Sequence, residues 1–163
     1  MHRKDRERDA AFAWEVFQTA PYAVLAVVTP EGRPYCVPVN AVADPARQAL
    51  YFHSAMEGTK MDHLRKCPAV SLNAVSAVAN VSAGLTTGYR SANAQGTAVF
   101  VEDREEKLYA LRLLTATLAP ERLSTLDDYM AKEGCLAHTA IIRVDVKEMT
   151  GKENPAGLEG TAK

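Results

Sequence analysis

No stretch of this 163-residue sequence is apolar over enough length to cross a bilayer as a helix. Its longest apolar run, Tyr22 to Val28, falls far short of the ~20 residues that a spanning helix needs, so no membrane association is expected. Cysteine is scarce. Cys36, Cys67 and Cys135 are odd in number and widely spaced, with no Cys-x-x-Cys pair, which argues against a disulfide framework or a zinc site and for a reduced, cytoplasmic protein. Charge of one sign is also lacking. With 19 basic and 20 acidic side chains the net charge is -1, which leaves no broad field for nucleic acid or anionic lipid. There is no Gly-x-Gly-x-x-Gly or P-loop signature, no internal repeat, and no apolar segment after the mixed-charge start Met1–Asp9 that would read as a secretory signal.

What remains is the composition of an ordinary globular chain, 47% hydrophobic and 24% charged, long enough for one domain with a sizeable core. A single domain over 1–163 is expected, with 1–8 and 151–163 flexible or in contact with a partner. Ala10, Ala13, Trp14 and Phe17 recur at helical spacing and predict a helix from Asp9 to Thr19, with Trp14 as a core anchor. Apolar runs separated by turn residues predict strands at 22–29, 35–42 and 49–53, joined as an antiparallel meander. Pro38 inside the second strand implies an edge, a bulge or a bend, and a bend would free backbone groups of Val39 and Asn40.

Further strands are predicted at 69–75, 89–101 and 138–146, with Gly96 marking a bulge or a close backbone approach. Residues 76–88 read equally as loop or weak strand. Helices are expected at 59–66, from Glu102 and Asp103 onward, and from Pro120 to Lys132, stopped by Gly134. Strands outnumber helices and no βαβ alternation occurs. The expected fold is therefore mainly β: an antiparallel, closed or partly closed barrel with helices on its outside.

One stretch carries chemistry. Tyr51-Phe52-His53-Ser54 leaves a strand at a His-Ser pair, turns at Gly58 and enters a helix with Thr59 and Lys60 in its first turn. Free N–H groups, the positive end of a helix dipole and a lysine charge together suit an anion. The same residues also describe a plain strand-turn-helix connection with a solvated lysine. His63 reads as a surface or capping residue.

The ordered series Pro34-Tyr35-Cys36-Val37-Pro38-Val39-Asn40, Tyr51-Phe52-His53-Ser54-Ala55, Glu57-Gly58-Thr59-Lys60, Tyr89-Arg90-Ser91 and Gly96 to Asp103 resembles the pyridoxamine 5′-phosphate oxidase-like split barrels. Within them, Arg3 to Glu7 and Thr150-Gly151-Lys152 resemble the nitroimidazole-resistance branch. The resemblance implies a split β-barrel that binds FMN as a homodimer, with the flavin at the subunit interface. It places Val37, Pro38, Val39 and Asn40 along the isoalloxazine, and Phe52, His53 and Ser54 beside the ring and ribityl phosphate. Thr59 and Lys60 would hold the phosphate, and Tyr89, Arg90 and Ser91 would lie near the cofactor, from either subunit. His53 is the candidate catalytic residue, as proton donor or orienting group, since an unperturbed imidazole titrates near neutrality.

The implied activity is an FMN-dependent oxidoreductase, nitroreductase-like, acting on a small acceptor. The alternatives are a flavin-binding module or redox sensor without turnover, and a barrel that uses haem or a deazaflavin. A true pyridoxamine-phosphate oxidase is disfavoured, because no further basic cluster is present for a second phosphate. No metal site is expected, since the spacing of His53, Glu57, Asp62 and His63 matches no ligand pattern.

Overall fold

The computed structural model describes residues 2–130 and 138–159. Among the described residues eight strands and four α-helices follow one another as β1 (Glu7–Arg8), α1 (Ala10–Thr19), β2 (Ala23–Val28), β3 (Pro34–Val39), β4 (Val42–Asp44), β5 (Ala49–Ala55), α2 (Thr59–Lys66), β6 (Ala69–Val81), β7 (Thr86–Phe100), α3 (Arg104–Leu118), α4 (Leu126–Met130) and β8 (Thr139–Asn154). The strands form one antiparallel sheet in the order β3-β2-β6-β7-β8-β5-β4, with β1 added to β8.

That order forces the sheet to close on itself. β3 and β4 are its two ends, yet only Asn40 and Ala41 separate them in the chain. Val39 and Val42 can therefore be no more than about 11 Å apart, whereas the edges of a flat seven-strand path stand roughly 29 Å apart. The sheet must curl until its edges meet, which makes a barrel. The expected mainly-β split-barrel architecture is what the chain adopts.

The barrel interior follows from strand alternation. Ala23, Leu25 and Val27 of β2 point inward, as do Leu72 and Ala74 of β6, Ala92 and Ala94 of β7, Ile142 and Val144 of β8, and Leu50 and Phe52 of β5. Helix α1 packs Ala13, Trp14, Val16 and Phe17 into the same core, and Asp9 caps it by accepting a hydrogen bond from the Phe12 N–H at 2.9 Å. The other face of β5 and β8 turns Tyr51 and Ile141 outward, where α3 covers them with Ala110 and Leu114. Asp103 caps α3 through the Glu106 N–H.

Several expectations are corrected. The first three strands do not form a meander: β2 pairs with β3 and β4 with β5, but β3 and β5 are not neighbours. Local connectivity suggests a meander, and the long-range pairing of β2 with β6 and of β5 with β8 overrides it. The run 35–42 divides into two strands at Asn40-Ala41, because the chain turns the barrel corner there. Residues 76–88 are strand on both sides of a tight turn at Ser82–Gly84. The helix expected from Pro120 is a 3₁₀ turn, Pro120–Thr125, followed by α4, while Gly134 and Cys135 lie outside the described residues.

Neither end is loose throughout. Glu7 and Arg8 pair with Lys152 and Gly151, so β8 runs to Asn154. Pro38 is accommodated because β3 is an edge strand, where its missing N–H costs no ladder bond. Gly96 sits at a register shift between β7 and β8, and a Cβ there would lie 2.2 Å from the Asp145 carbonyl oxygen. Among the described residues no helix is long and apolar enough to cross a membrane.

Candidate functional site

The split in the barrel is an edge left unpaired. β4 covers only Ala49 to Tyr51, so from Phe52 to Ala55 strand β5 pairs with β8 alone. On the other side of the gap runs β3, the sheet's other edge. Between them lies a cleft of about 370 Å³ lined by Tyr35, Val37, His53, Ser54, Thr59 and Lys60, with Ala55, Glu57 and Gly58 at its rim. Strand-edge amides and carbonyls that lack a strand partner can receive the polar rim of a flat ligand.

The floor of the cleft follows from alternation along β3. Tyr35 and Val37 are half-buried and rest on the barrel core, and Val39 continues that face into the core itself. Pro38 is exposed on the opposite face, and exposed Asn40 donates from Nδ2 to the Pro21 carbonyl oxygen at 3.2 Å, which pins the start of the barrel corner. The side chains of Val37 to Asn40 therefore do not share one face of the strand. Tyr35, not among the expected site residues, lines the cleft, and a period-two reading from Val37 points to it. His63 holds Tyr35 from the far side, with ring centroids 5.3 Å apart and planes at 72°. It is half-buried against that ring, where a surface or capping place was expected.

The end of the cleft is built by the turn into α2. Gly58 precedes the helix with φ 125°, a conformation that side-chain-bearing residues rarely adopt. No side chain caps the helix there, so the N–H groups of its first residues face outward. Arg65, two turns along, donates to the Met56 carbonyl oxygen at 2.7 Å and draws the loop onto the helix. Thr59 is exposed and Lys60 half-buried. Burial pushes the Lys60 ammonium below its ordinary value, its Nζ lies 5.9 Å from the Phe52 ring centroid, and it has no carboxylate partner among the described residues. A partly desolvated cation without a counter-ion, beside free helix N–H groups, is poised for an anion.

His53 and Ser54 alternate along β5, His53 exposed and Ser54 buried, and both line the cleft. Phe52 is wholly buried in the core and supports the cleft without lining it. Tyr89, Arg90 and Ser91 lie on β7, away from this cleft. Arg90 is engaged there with Glu15 at 3.1 Å, with Glu153 at 3.5 Å, and over the Phe12 ring at 4.6 Å.

A second polar cleft of about 490 Å³ lies between α3 and the barrel, lined by Arg47, Tyr51, Glu106, Tyr109, Arg143 and Asp145. Its charges answer one another. Tyr51 donates to Glu106 at 3.0 Å, and Arg143 bridges Glu106 and Asp145, both at 2.6 Å. Tyr109 donates to Asp44 at 2.6 Å, and Arg47 lies 3.7 Å over the Tyr109 ring. The Asp145 and Glu106 carboxylates hold the Arg143 guanidinium firmly protonated. This network ties α3 to the barrel, whereas the Lys60 cleft leaves its charge free.

Comparison with known proteins agrees with this geometry. A family model described as pyridoxamine 5′-phosphate oxidase matches residues 9–153. The chain belongs to the pyridoxamine 5′-phosphate oxidase family. Among solved structures it is similar to a provisional 5-nitroimidazole antibiotic resistance protein from Bacteroides thetaiotaomicron, with 27% identity and a TM-score of 0.72 over 90% of this chain and 84% of the other. The fold is shared with the FAD- and haem-binding protein of Mycobacterium smegmatis, at 20% identity and a TM-score of 0.76 over 91% of this chain and 73% of that one. It is shared too with a FAD-binding protein of Mesorhizobium loti, at 22% identity and a TM-score of 0.64 over 91% and 97%. A search among curated proteins finds no match.

Proposed function

We propose that this family member binds FMN in the split between β3 and β5 and serves as an oxidoreductase for a small electron acceptor. The observation that carries the reading is the half-buried, unpaired Lys60 at the start of α2, at one end of a cleft floored by Tyr35 and Val37. One ammonium and one helix start suit one phosphate, which favours FMN over a dinucleotide. The solved relatives described as FAD-binding support a flavin as the class of ligand.

When bound, the flavin supplies the redox chemistry. The residues of this chain position it. Lys60 and the first N–H groups of α2 take the phosphate, Tyr35 and Val37 face the ring, and the free edge of β5 meets its polar rim. His53 stands exposed at the cleft, where its imidazole can orient a substrate or pass it a proton. Nitro-aromatic compounds are the first acceptors to try, because of the likeness to the Bacteroides protein.

The functional unit in this reading is a homodimer with the flavin at the interface. Val75, Val78 and Leu85 on the β6–β7 arm are exposed apolar side chains that a second copy would cover, and a cleft open on one side gains burial from a partner. The exposure of His53, with no hydrogen-bonding side chain to aim it among the described residues, favours as a second reading a flavin-binding protein without turnover.

The test is an absorption spectrum of the purified protein, chromatography of the flavin released by heat, and oxidation of reduced nicotinamides with and without a nitro-aromatic acceptor. Released FMN and acceptor-dependent oxidation support the enzyme. FMN without turnover on any donor supports the binding module. A protein that neither carries nor takes up FMN contradicts both.

A further inference from the structure

Tyr35 hangs on a strand that is paired on one side only. β3 bonds to β2, with Tyr35 opposite Val27, and its other edge faces the cleft. The half-buried phenol makes no hydrogen bond among the described residues, which leaves packing to set the rotamer of the ring. Its aromatic contact is His63, in a T-shaped arrangement that aromatic rings favour.

His63 stands on the helix that closes the end of the cleft. Met61 and Leu64, which bracket it, are each 1% exposed and anchor α2 in the barrel core. Lys60 precedes His63 by three residues, so the two lie on neighbouring positions of one helix side. A single anchored helix thus carries both the unpaired cation of the cleft and the support of its Tyr35 floor. The imidazole holds its place at a cost. Its Nδ1 is buried with no hydrogen-bond partner among the described residues, where an apolar side chain would leave no polar atom unpaired.

We propose, on the reading of this cleft as the flavin site, that His63 is a positioning residue for the flavin ring. By fixing the Tyr35 ring it sets where the isoalloxazine rests, while Lys60 on the same helix sets the phosphate. His63 touches neither flavin nor substrate. Its whole effect passes through Tyr35, and α2 therefore governs both ends of one ligand.

The emission lifetime of bound FMN reports on Tyr35. A phenol against an excited isoalloxazine passes it an electron and takes it back, which shortens the lifetime. Lifetimes are measured with protein in excess, and affinities for FMN and riboflavin by calorimetry. The wild type is expected to bind FMN with a short lifetime, and Tyr35→Phe, which keeps a ring but is a poor electron donor, to lengthen it. His63→Ala should lengthen it too and weaken FMN and riboflavin alike by at least about fivefold. His63→Leu, with neither ring nor unpaired nitrogen, should keep the melting temperature and still lengthen the lifetime. His63→Phe restores a ring against Tyr35 and should restore most of the quenching. In His63→Ala/Tyr35→Phe the lifetime should equal that of Tyr35→Phe, because a residue that acts only through Tyr35 has nothing left to move.

A loss of stability changes how much flavin is bound, not the lifetime of what is bound, so a merely structural His63 leaves the lifetime alone. Bound FMN with the wild-type lifetime in His63→Ala and His63→Leu overturns the proposal and leaves the flavin reading standing. So does an unchanged lifetime in Tyr35→Phe, or a double variant whose lifetime exceeds that of Tyr35→Phe. A wild type that binds neither FMN nor riboflavin overturns the flavin reading, and the role of His63 with it.

Discussion

The Lys60 ammonium lies 5.9 Å from the centre of the Phe52 ring and meets no carboxylate among the described residues. Burial lowers its ionisation from the ordinary lysine value. The unfolded chain therefore holds the Lys60 proton more tightly than the folded one. Between the folded and unfolded values stability rises with pH, and below them the folded state bears the cost of a partly desolvated charge. Lys60→Met is expected to leave the melting temperature of the flavin-free protein equal or higher, while FMN affinity falls at least about tenfold. A loss of both would mean that Lys60 is a structural residue.

The same shift gives FMN binding a pH dependence. The ammonium attracts the phosphate only while protonated, so affinity falls as pH rises through the lowered Lys60 value, ahead of an ordinary lysine. Lys60→Arg keeps its charge across this range. Fluorescence titrations between neutral pH and about pH 10 should show the wild-type affinity falling and that of Lys60→Arg nearly level.

Gly96 is set by contact with the next strand's backbone. A Cβ there would lie 2.2 Å from the Asp145 carbonyl oxygen and 3.0 Å from Val144 Cγ1. Gly96→Ala must push β7 off β8 at the bulge, and a cost of about 1–3 kcal/mol is expected in urea unfolding. Gly58→Ala meets open space but must hold φ near 125°, and should cost about 1–2 kcal/mol through strain alone.

Glu106 is the shared acceptor for Tyr51 and Arg143. Its removal leaves a buried phenol O–H without that acceptor, and a guanidinium held only by Asp145. Glu106→Ala should destabilise by about 1–3 kcal/mol, without changing FMN affinity at constant folded fraction. Thermal unfolding and flavin titration of the same sample check both parts.

Much of this architecture was legible in the sequence because local signals carried it. The apolar faces of α1 and β2 and the turn into α2 at Gly58 each depend on neighbours a few residues away, and at Gly96 the residue type alone marks a close approach. Strand pairing was not legible locally. Nothing near Tyr35 says that β3 and β5 face each other across a gap, because that gap is made by β6, β7 and β8 passing round the barrel. The helix start that carries Lys60 was legible for the same local reason. The placing of Val37 to Asn40 was not legible in the motif, since alternation sends Val37 to the cleft, Val39 to the core and Pro38 to the opposite face. His63 was misjudged because its partner, Tyr35, comes from a distant strand. The pairing of Arg90 with Glu15 and Glu153 likewise spans separations that a motif does not show.

The most direct test of the central claim compares FMN with riboflavin, which lacks only the phosphate, on the wild type and on Lys60→Met by quenching of flavin fluorescence. If the start of α2 is the phosphate site, the wild type prefers FMN by about tenfold or more, and the preference collapses in the variant while riboflavin affinity stays the same. Equal affinity for the two flavins in the wild type, or a preference that survives the loss of Lys60, would contradict the account.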